Sequence, residues 1–422
     1  MRYDITVHPS KLSGSIVVPP SKSQTHRAIL CAGMAEGKSV IEPFEPGDDI
    51  QASLRAIEAL GAKIKVRGKA LHIKGRPSFP IKKTHLHVGK SASTLRFFIP
   101  ISMIGGQPFH FTMDAQLAKR PLEPYHKLFP DALKQEGDTL TVHHSLTPGD
   151  YVIDGSISSQ FVSGLLFALP LLKEQSTLRI EKITSTDYID LTVDILETFG
   201  IVIIKEDDHF RIPGNQTYFA RTLETEGDYG LAANLLVAGL KNTALEVYPL
   251  KADSSQADRL IVDFIKAFEG KIIHTEEGFM TSESNTRAAT IDIDPAPDLA
   301  PITALLGAYS EGTTEILNTK RLQYKESNRI ISTVTTLKKL GFDVLHQDNR
   351  IIIKGLYKRF PTNKTLETHG DHRIVMMAVI GALNADKPIT ITNAQVVEKS
   401  YPRFYDDLIS LGAKIDFKKI TP

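Results

Sequence analysis

Hydrophobic positions along the chain repeat one pattern: an amphipathic segment with apolar residues at helical intervals, a glycine, then two short alternating runs joined by a polar turn. Its clearest copy is Leu54-Arg55-Ala56-Ile57-Glu58-Ala59-Leu60, then Gly61, then Ala62-Lys63-Ile64-Lys65-Val66. The helical period up to Leu60 and the alternation after Gly61 predict a helix stopped by a left-handed glycine, followed by a hairpin closed at Arg67-Gly68-Lys69. The pattern returns at 195–200, 265–270, 337–341 and 408–412, and a degenerate copy ends at Gly137. The six glycines, 61, 137, 200, 270, 341 and 412, lie 76, 63, 70, 71 and 71 residues apart, close to a sixth of the chain each time. An α/β protein of six similar units follows. A helix–hairpin unit of this size cannot cover both faces of its own strands, so units share cores, and the length favours two domains of three units each.

Composition narrows the function classes. The 422 residues are 41% hydrophobic and 23% charged, and 50 basic against 49 acidic side chains leave a net charge of +1. That is an ordinary globular balance with no general field to hold a polyanion, so neither nucleic acid nor a membrane surface is an expected partner. The longest apolar stretches, 164–172 and 374–383, fall short of the roughly 20 residues a membrane-spanning helix needs. Cys31, the one cysteine, lies in the apolar run 28–34 and is expected to be buried and unpaired, which fits a reducing compartment. The start, Met1-Arg2-Tyr3-Asp4, lacks a signal-peptide layout, and a cytoplasmic location is expected.

Between the repeats, short segments gather Lys, Arg, Ser and Gln at predicted helix starts. In Pro19-Pro20-Ser21-Lys22-Ser23-Gln24-Thr25-His26-Arg27 the prolines end a strand and the next residues open a helix, where free N–H groups, hydroxyls and an ammonium suit a phosphate or carboxylate. Asp154-Gly155-Ser156-Ile157-Ser158-Ser159-Gln160 presents donors just before an apolar helix. Lys325-Glu326-Ser327-Asn328-Arg329 is expected to set Lys325 and Arg329 four apart on one helical face. Arg120-Pro121, Asp371-His372-Arg373 and Lys399-Ser400-Tyr401-Pro402-Arg403 add cations at element boundaries. Many separate anion ligands, rather than one basic patch, point to small, multiply anionic substrates. Gly89-Lys90-Ser91 is not a nucleotide loop, because Thr84 stands where the upstream glycine is required. His369 and His372 lack an accompanying glutamate-containing zinc motif, and no Gly-x-Ser-x-Gly nucleophile elbow marks a serine hydrolase.

Nine ordered elements resemble the 5-enolpyruvylshikimate-3-phosphate synthase family. They are 20–23 with Arg27, 117–121, 155–160, Ser185 with 188–190, 226–228, 297–298, 325–329, 371–373 and 399–402. The resemblance implies an inverse α/β barrel in two domains, each of three helix-and-strand units. Residues 1–19 with 228–422 would form the discontinuous first domain and 20–227 the second, with the active site in a cleft that closes on its substrates. It implies that Lys22, Ser23, Arg27, Ser158, Ser159, Gln160, Ser185, Tyr188, Asp298 and Lys325 hold shikimate-3-phosphate. Lys22, Ala92, Arg120, Gln160, Arg329, Arg373 and Lys399 would then hold phosphoenolpyruvate. Asp298 and Glu326, with Lys22, would move protons, and no cofactor or metal is implied. The enzyme is expected to act as a monomer.

Two positions depart from the family run Gly-Asn-Ala/Ser-Gly-Thr that leads to an arginine: Lys90 replaces asparagine and Ala92 replaces glycine in Gly89-Lys90-Ser91-Ala92-Ser93-Thr94-Leu95-Arg96. Ala92 resembles the arrangement of glyphosate-insensitive members, and Lys90 adds a flexible cation that either tightens anion binding or obstructs it. Arg321 and Gly230 stand where the family more often has other polar residues, so neither receives a role. Two other readings stay open: an enolpyruvyl transferase acting on UDP-N-acetylglucosamine, disfavoured by Ser23 and by the apolar setting of Cys31, and a non-catalytic anion-binding relative.

Overall fold

A computed structural model describes residues 2–76, 79, 81, 83–182, 186–355 and 365–420. The chain divides into two compact units: a terminal unit of Met1–Pro19 with Glu226–Pro422, and an inserted unit of Pro20–Thr225. The second boundary falls after Thr225 for a local reason. Thr225 still gives its N–H to Glu42 O at 2.8 Å in the inserted unit, whereas the Glu226 carboxylate accepts from Ser254 and Gln256 of the terminal unit at 2.5 and 3.1 Å.

Each unit contains three four-stranded sheets of one design among the described residues. A parallel edge strand lies beside a central strand, and the central strand pairs antiparallel with a hairpin. In the inserted unit, Asp150–Asp154 runs parallel to Ser176–Glu181, which pairs with His209–Ile212 and through it with Ile204–Lys205. In the terminal unit, Thr365–Glu367 runs parallel to Ile389–Thr392, but its hairpin is made from the two ends of the chain, Lys414–Lys419 and Tyr3–His8.

Beyond its first turn or two, the helix that follows each edge strand is largely apolar on all sides, and such a surface has to be buried. Tyr229–Gly239, Ala300–Tyr309 and His372–Leu383 are buried throughout, and so are most residues of Lys22–Met34, Ala92–Ser102 and Gln160–Ala168. Helices inside and sheets outside is the inverse-barrel arrangement. Only the N-terminal ends of these helices carry the motif residues. Gly164 sets one close crossing, since a Cβ there would collide with Tyr125 Oη and Arg96 O. No helix among the described residues is long and apolar enough to cross a membrane.

The helix-stop reading holds at Gly61, Gly200, Gly341 and Gly412, with φ of +98°, +83°, +99° and +109°. It is corrected at the other two. Gly137, φ +61°, closes the hairpin of Leu133–Glu136 with Thr139–Val142, while the left-handed residue beyond helix Glu123–Leu128 is Asp131, φ +63°. Beyond helix Ile261–Ala267 it is Glu269, φ +57°, rather than Gly270. Taking positions 61, 131, 200, 269, 341 and 412, the intervals become 70, 69, 69, 72 and 71 residues. The repeat is therefore more regular in conformation than in glycine content, because aspartate and glutamate here accept a left-handed backbone that usually selects glycine. Cys31 is fully buried, and burial pushes its thiol well up, so it stays protonated.

Candidate active site

In the terminal unit the starts of three buried helices meet around Arg329. Its side chain is 1% exposed and gives Nε to Asp371 Oδ2 at 2.8 Å, Nη1 to Asp298 Oδ1 at 2.7 Å and Nη2 to Glu326 Oε2 at 2.7 Å. Lys325 Nζ lies 3.0 Å from Asp298 Oδ1, and Lys399 Nζ 3.2 Å from Glu326 Oε1. Arg373 Nη2 stands 3.7 Å from Asp298 Oδ2 and 3.8 Å from Asp258 Oδ2, and Nη1 donates to Gly230 O. Asp371 is fully buried and also caps its own helix by accepting Arg373 N–H at 2.9 Å.

This spacing fixes the electrostatics. Burial works against ionisation of Asp298, but Lys325, Arg329 and Arg373 outweigh it and hold the carboxyl well below the usual carboxylate range. Burial pushes the Lys325 ammonium down, with Asp298 partly restoring it. Burial likewise opposes the Arg329 charge, and Asp371, Glu326 and Asp298 more than compensate. The result is a preformed array of charged donors already paid for in desolvation, of the kind that accepts anionic oxygens when the internal carboxylates yield them.

In the inserted unit the same ends of buried helices carry the second group. Ser21 caps helix Lys22–Met34, and Lys22 Nζ lies 3.0 Å from Asp49 Oδ2. Gln160 gives Nε2 to Ser93 Oγ at 2.8 Å and takes Arg96 Nη1 on Oε1 at 2.9 Å; Arg96 also stacks over Phe161, 4.5 Å from the ring centre. Ser158 Oγ accepts Gln160 N–H at 3.3 Å, and Ser159 is buried beside it. Arg27 is turned inward: Nε donates to Thr192 Oγ1 at 2.8 Å, and the two terminal nitrogens donate to Ser23 O and Tyr188 O at 2.8 and 3.0 Å. Burial lowers its guanidinium to about 10. Ala92 is buried as the first residue of helix Ala92–Ser102, and Arg120 is half-buried after Ala115–Ala118. Lys90 is half exposed, and the Asp114 carboxylate is 4.0 Å away. Ser185 lies outside the described residues.

One sequence expectation is corrected. Lys325 and Arg329 do not share a helical face, because Lys325 is extended (φ −81°, ψ −165°) and the helix begins at Arg329 after the Asn328 cap. They meet instead on one oxygen of Asp298. Three partners escaped sequence reasoning: Asp371, Asp49 and Arg96. Asp371 and Arg96 stand inside segments quoted for their other residues, whereas Asp49 lies in none of them, and acidic partners of the cations were the signal to follow for the two aspartates. Gly230 now has a physical reason: a Cβ there would collide with Asp258 Oδ2 and stand 2.7 Å from both terminal nitrogens of Arg373. Arg321 is held on Asp294 Oδ1 at 2.8 Å. Among the described residues no group of three His, Cys, Asp or Glu side chains is placed to hold a metal.

The arrangement of helices and sheets is that of the enolpyruvyl transferases. Superposition on EPSP synthase from Acinetobacter baumannii gives a TM-score of 0.81 at 23% identity over 99% of this chain and 100% of that one. The enolpyruvyl transferase NikO from Streptomyces tendae gives 0.79 at 16% identity over 100% of both. Sequence likeness is more specific. Residues 7–408 match the family model described as EPSP synthase (3-phosphoshikimate 1-carboxyvinyltransferase). A 3-phosphoshikimate 1-carboxyvinyltransferase of Clostridium kluyveri is 38% identical over 423 residues, 99% of each chain. One from Clostridium perfringens is 37% identical over 97% of this chain and 98% of that protein. The chain belongs to the EPSP synthase family.

Proposed function

We infer that the enzyme transfers the enolpyruvyl group of phosphoenolpyruvate to the 5-hydroxyl of shikimate-3-phosphate and releases phosphate. The observation that carries this reading is the convergence of Lys325, Arg329 and Arg373 on Asp298, and of Arg329 and Lys399 on Glu326, within a chain of that family. Two substrates with a carboxylate and a phosphate each need such donors. Shikimate-3-phosphate is taken by Lys22, Ser23, Arg27, Ser158, Ser159, Gln160, Ser185, Tyr188, Asp298 and Lys325. Phosphoenolpyruvate is taken by Lys22, Ala92, Arg120, Gln160, Arg329, Arg373 and Lys399. A cytoplasmic, monomeric enzyme completes the reading.

In the addition step the 5-hydroxyl oxygen bonds to C2 of phosphoenolpyruvate as its proton passes to Asp298. Glu326, assisted by Lys22, gives a proton to the C3 methylene, which becomes a methyl in the tetrahedral adduct. In the elimination step C3 returns a proton to the Glu326 carboxylate as the C2–O bond to phosphate breaks and the leaving oxygen takes the proton held by Asp298, which restores the double bond, frees inorganic phosphate and resets both carboxyl groups. Asp298 is a weak base while three cations surround it. Substrate oxygens that engage those cations weaken their hold and raise its basicity when the hydroxyl arrives.

Phosphate release by purified protein is expected only when both substrates are present. Release that needs no shikimate-3-phosphate, or none at all from folded protein, would overturn the reading. Ala92→Gly should strengthen glyphosate inhibition by roughly tenfold or more, since removing one methyl from a close-packed edge is worth about 1–3 kcal/mol. Inhibition titrations at fixed phosphoenolpyruvate check this, and equal inhibition of both proteins would show that the methyl does not limit the inhibitor.

A further inference from the structure

A buried chain of side-chain hydrogen bonds joins three helices of the inserted unit. His26 Nδ1 lies 2.7 Å from Ser53 Oγ, Ser53 Oγ 2.9 Å from Thr94 Oγ1, and Thr94 Oγ1 2.9 Å from Ser91 Oγ. None of the four residues is more than 2% exposed. His26 follows Lys22 by one helical turn and Ser53 follows Asp49 by one turn, so the chain repeats, one turn further along, the 3.0 Å contact between Lys22 and Asp49. Its far end is Ser91, the cap of helix Ala92–Ser102. The next serine along the chain, Ser93, receives Gln160 Nε2.

Each hydroxyl has one hydrogen to give, so the direction of donation at one end of such a chain sets it at the other. Ser91 Oγ accepts the Thr94 N–H at 3.3 Å, and its hydroxyl contact is also to Thr94. Both neighbours therefore lie on the helix side, where a capping oxygen presents its lone pairs. Acceptance of both bonds requires Thr94 to donate to Ser91, Ser53 to donate to Thr94, and His26 Nδ1–H to donate to Ser53. The Ser91 hydrogen is then not used within the chain.

We propose that His26, Ser53 and Thr94 are positioning residues that orient Ser91 as a hydrogen donor to the anion received at the start of helix Ala92–Ser102. This rests on the transferase reading, in which that anion belongs to phosphoenolpyruvate. None of the three touches the reacting atoms. They act through Ser91, with the magnitude of one directed hydrogen bond.

The test is Thr94→Val, which keeps the shape and removes the hydroxyl, beside Ser53→Ala and the restoring variant Thr94→Ser. Both interrupting variants should raise KM for phosphoenolpyruvate roughly three- to tenfold, with KM for shikimate-3-phosphate within about twofold. The double variant should add little to either alone, and Thr94→Ser should return to near the parent value. Thermal midpoints are measured alongside. A rise in both KM values together with a lowered midpoint would assign the chain to structure alone and overturn the proposal, and unchanged KM values would do the same. Should the parent protein release no phosphate, the transferase reading fails by itself; the chain is then judged by thermal-shift titration with phosphoenolpyruvate, where equal stabilisation of parent and Thr94→Val overturns it.

Discussion

Asp298→Asn should lower kcat by about two to four orders of magnitude, the range for losing a positioned proton acceptor, while both substrates still bind. Single-turnover phosphate release separates the chemical step from product release, and turnover within tenfold of the parent would sink the assignment. The expectation rests on geometry: Asp298 is a partly buried carboxylate with Lys325 and Arg329 both within hydrogen-bond distance of one oxygen and Arg373 near the other. The amide keeps the shape and loses the charge that accepts a proton. The depressed carboxyl also makes a statement about pH. A group whose pKa falls on folding stabilises the fold above its unfolded value of about 4, and that contribution is lost as pH falls through the folded value. Acid titration by circular dichroism should therefore show the parent losing stability below about pH 4 more steeply than Asp298→Asn.

Arg329→Met should destabilise the protein by about 3–5 kcal/mol, because it leaves buried Asp371 and its neighbours Asp298 and Glu326 without their shared cation. Calorimetry should record a fall in thermal midpoint of roughly 10 °C. Arg329→Lys should recover only part of this loss, since a single ammonium cannot face three carboxylates in the planes that a guanidinium fork does. An unchanged midpoint for Arg329→Met would mean that the three carboxylates do not depend on this cation. The same substitution should abolish phosphate release even in the folded fraction.

Much of the candidate site was legible because many of its residues sit at helix starts, and helix starts have local signatures. Ser21 before Lys22, Asn328 before Arg329 and Asp371 before Arg373 are capping residues beside candidate site residues, so the motif and the boundary coincide. What escaped was pairing at long sequence separation. Asp371 reaches Arg329 across 42 positions and Asp49 reaches Lys22 across 27, and neither pairing leaves a periodic trace. Lys325 shows the opposite error: its spacing from Arg329 fits a helix, yet the chain is extended there and the two meet through a third residue.

The sequence by itself determined the six-fold repeat, the α/β class, the positions of the buried helices and the family, because periodicity, helix stops and ordered motifs are properties of neighbouring residues. Tertiary structure alone decided which residues take the left-handed position at Asp131 and Glu269, why Gly230 must lack a side chain, and which carboxylate each cation meets. The last two outcomes depend on close approach between distant segments in a low-dielectric interior, where a displacement of about an ångström decides whether a Cβ fits and whether an ion pair offsets its desolvation.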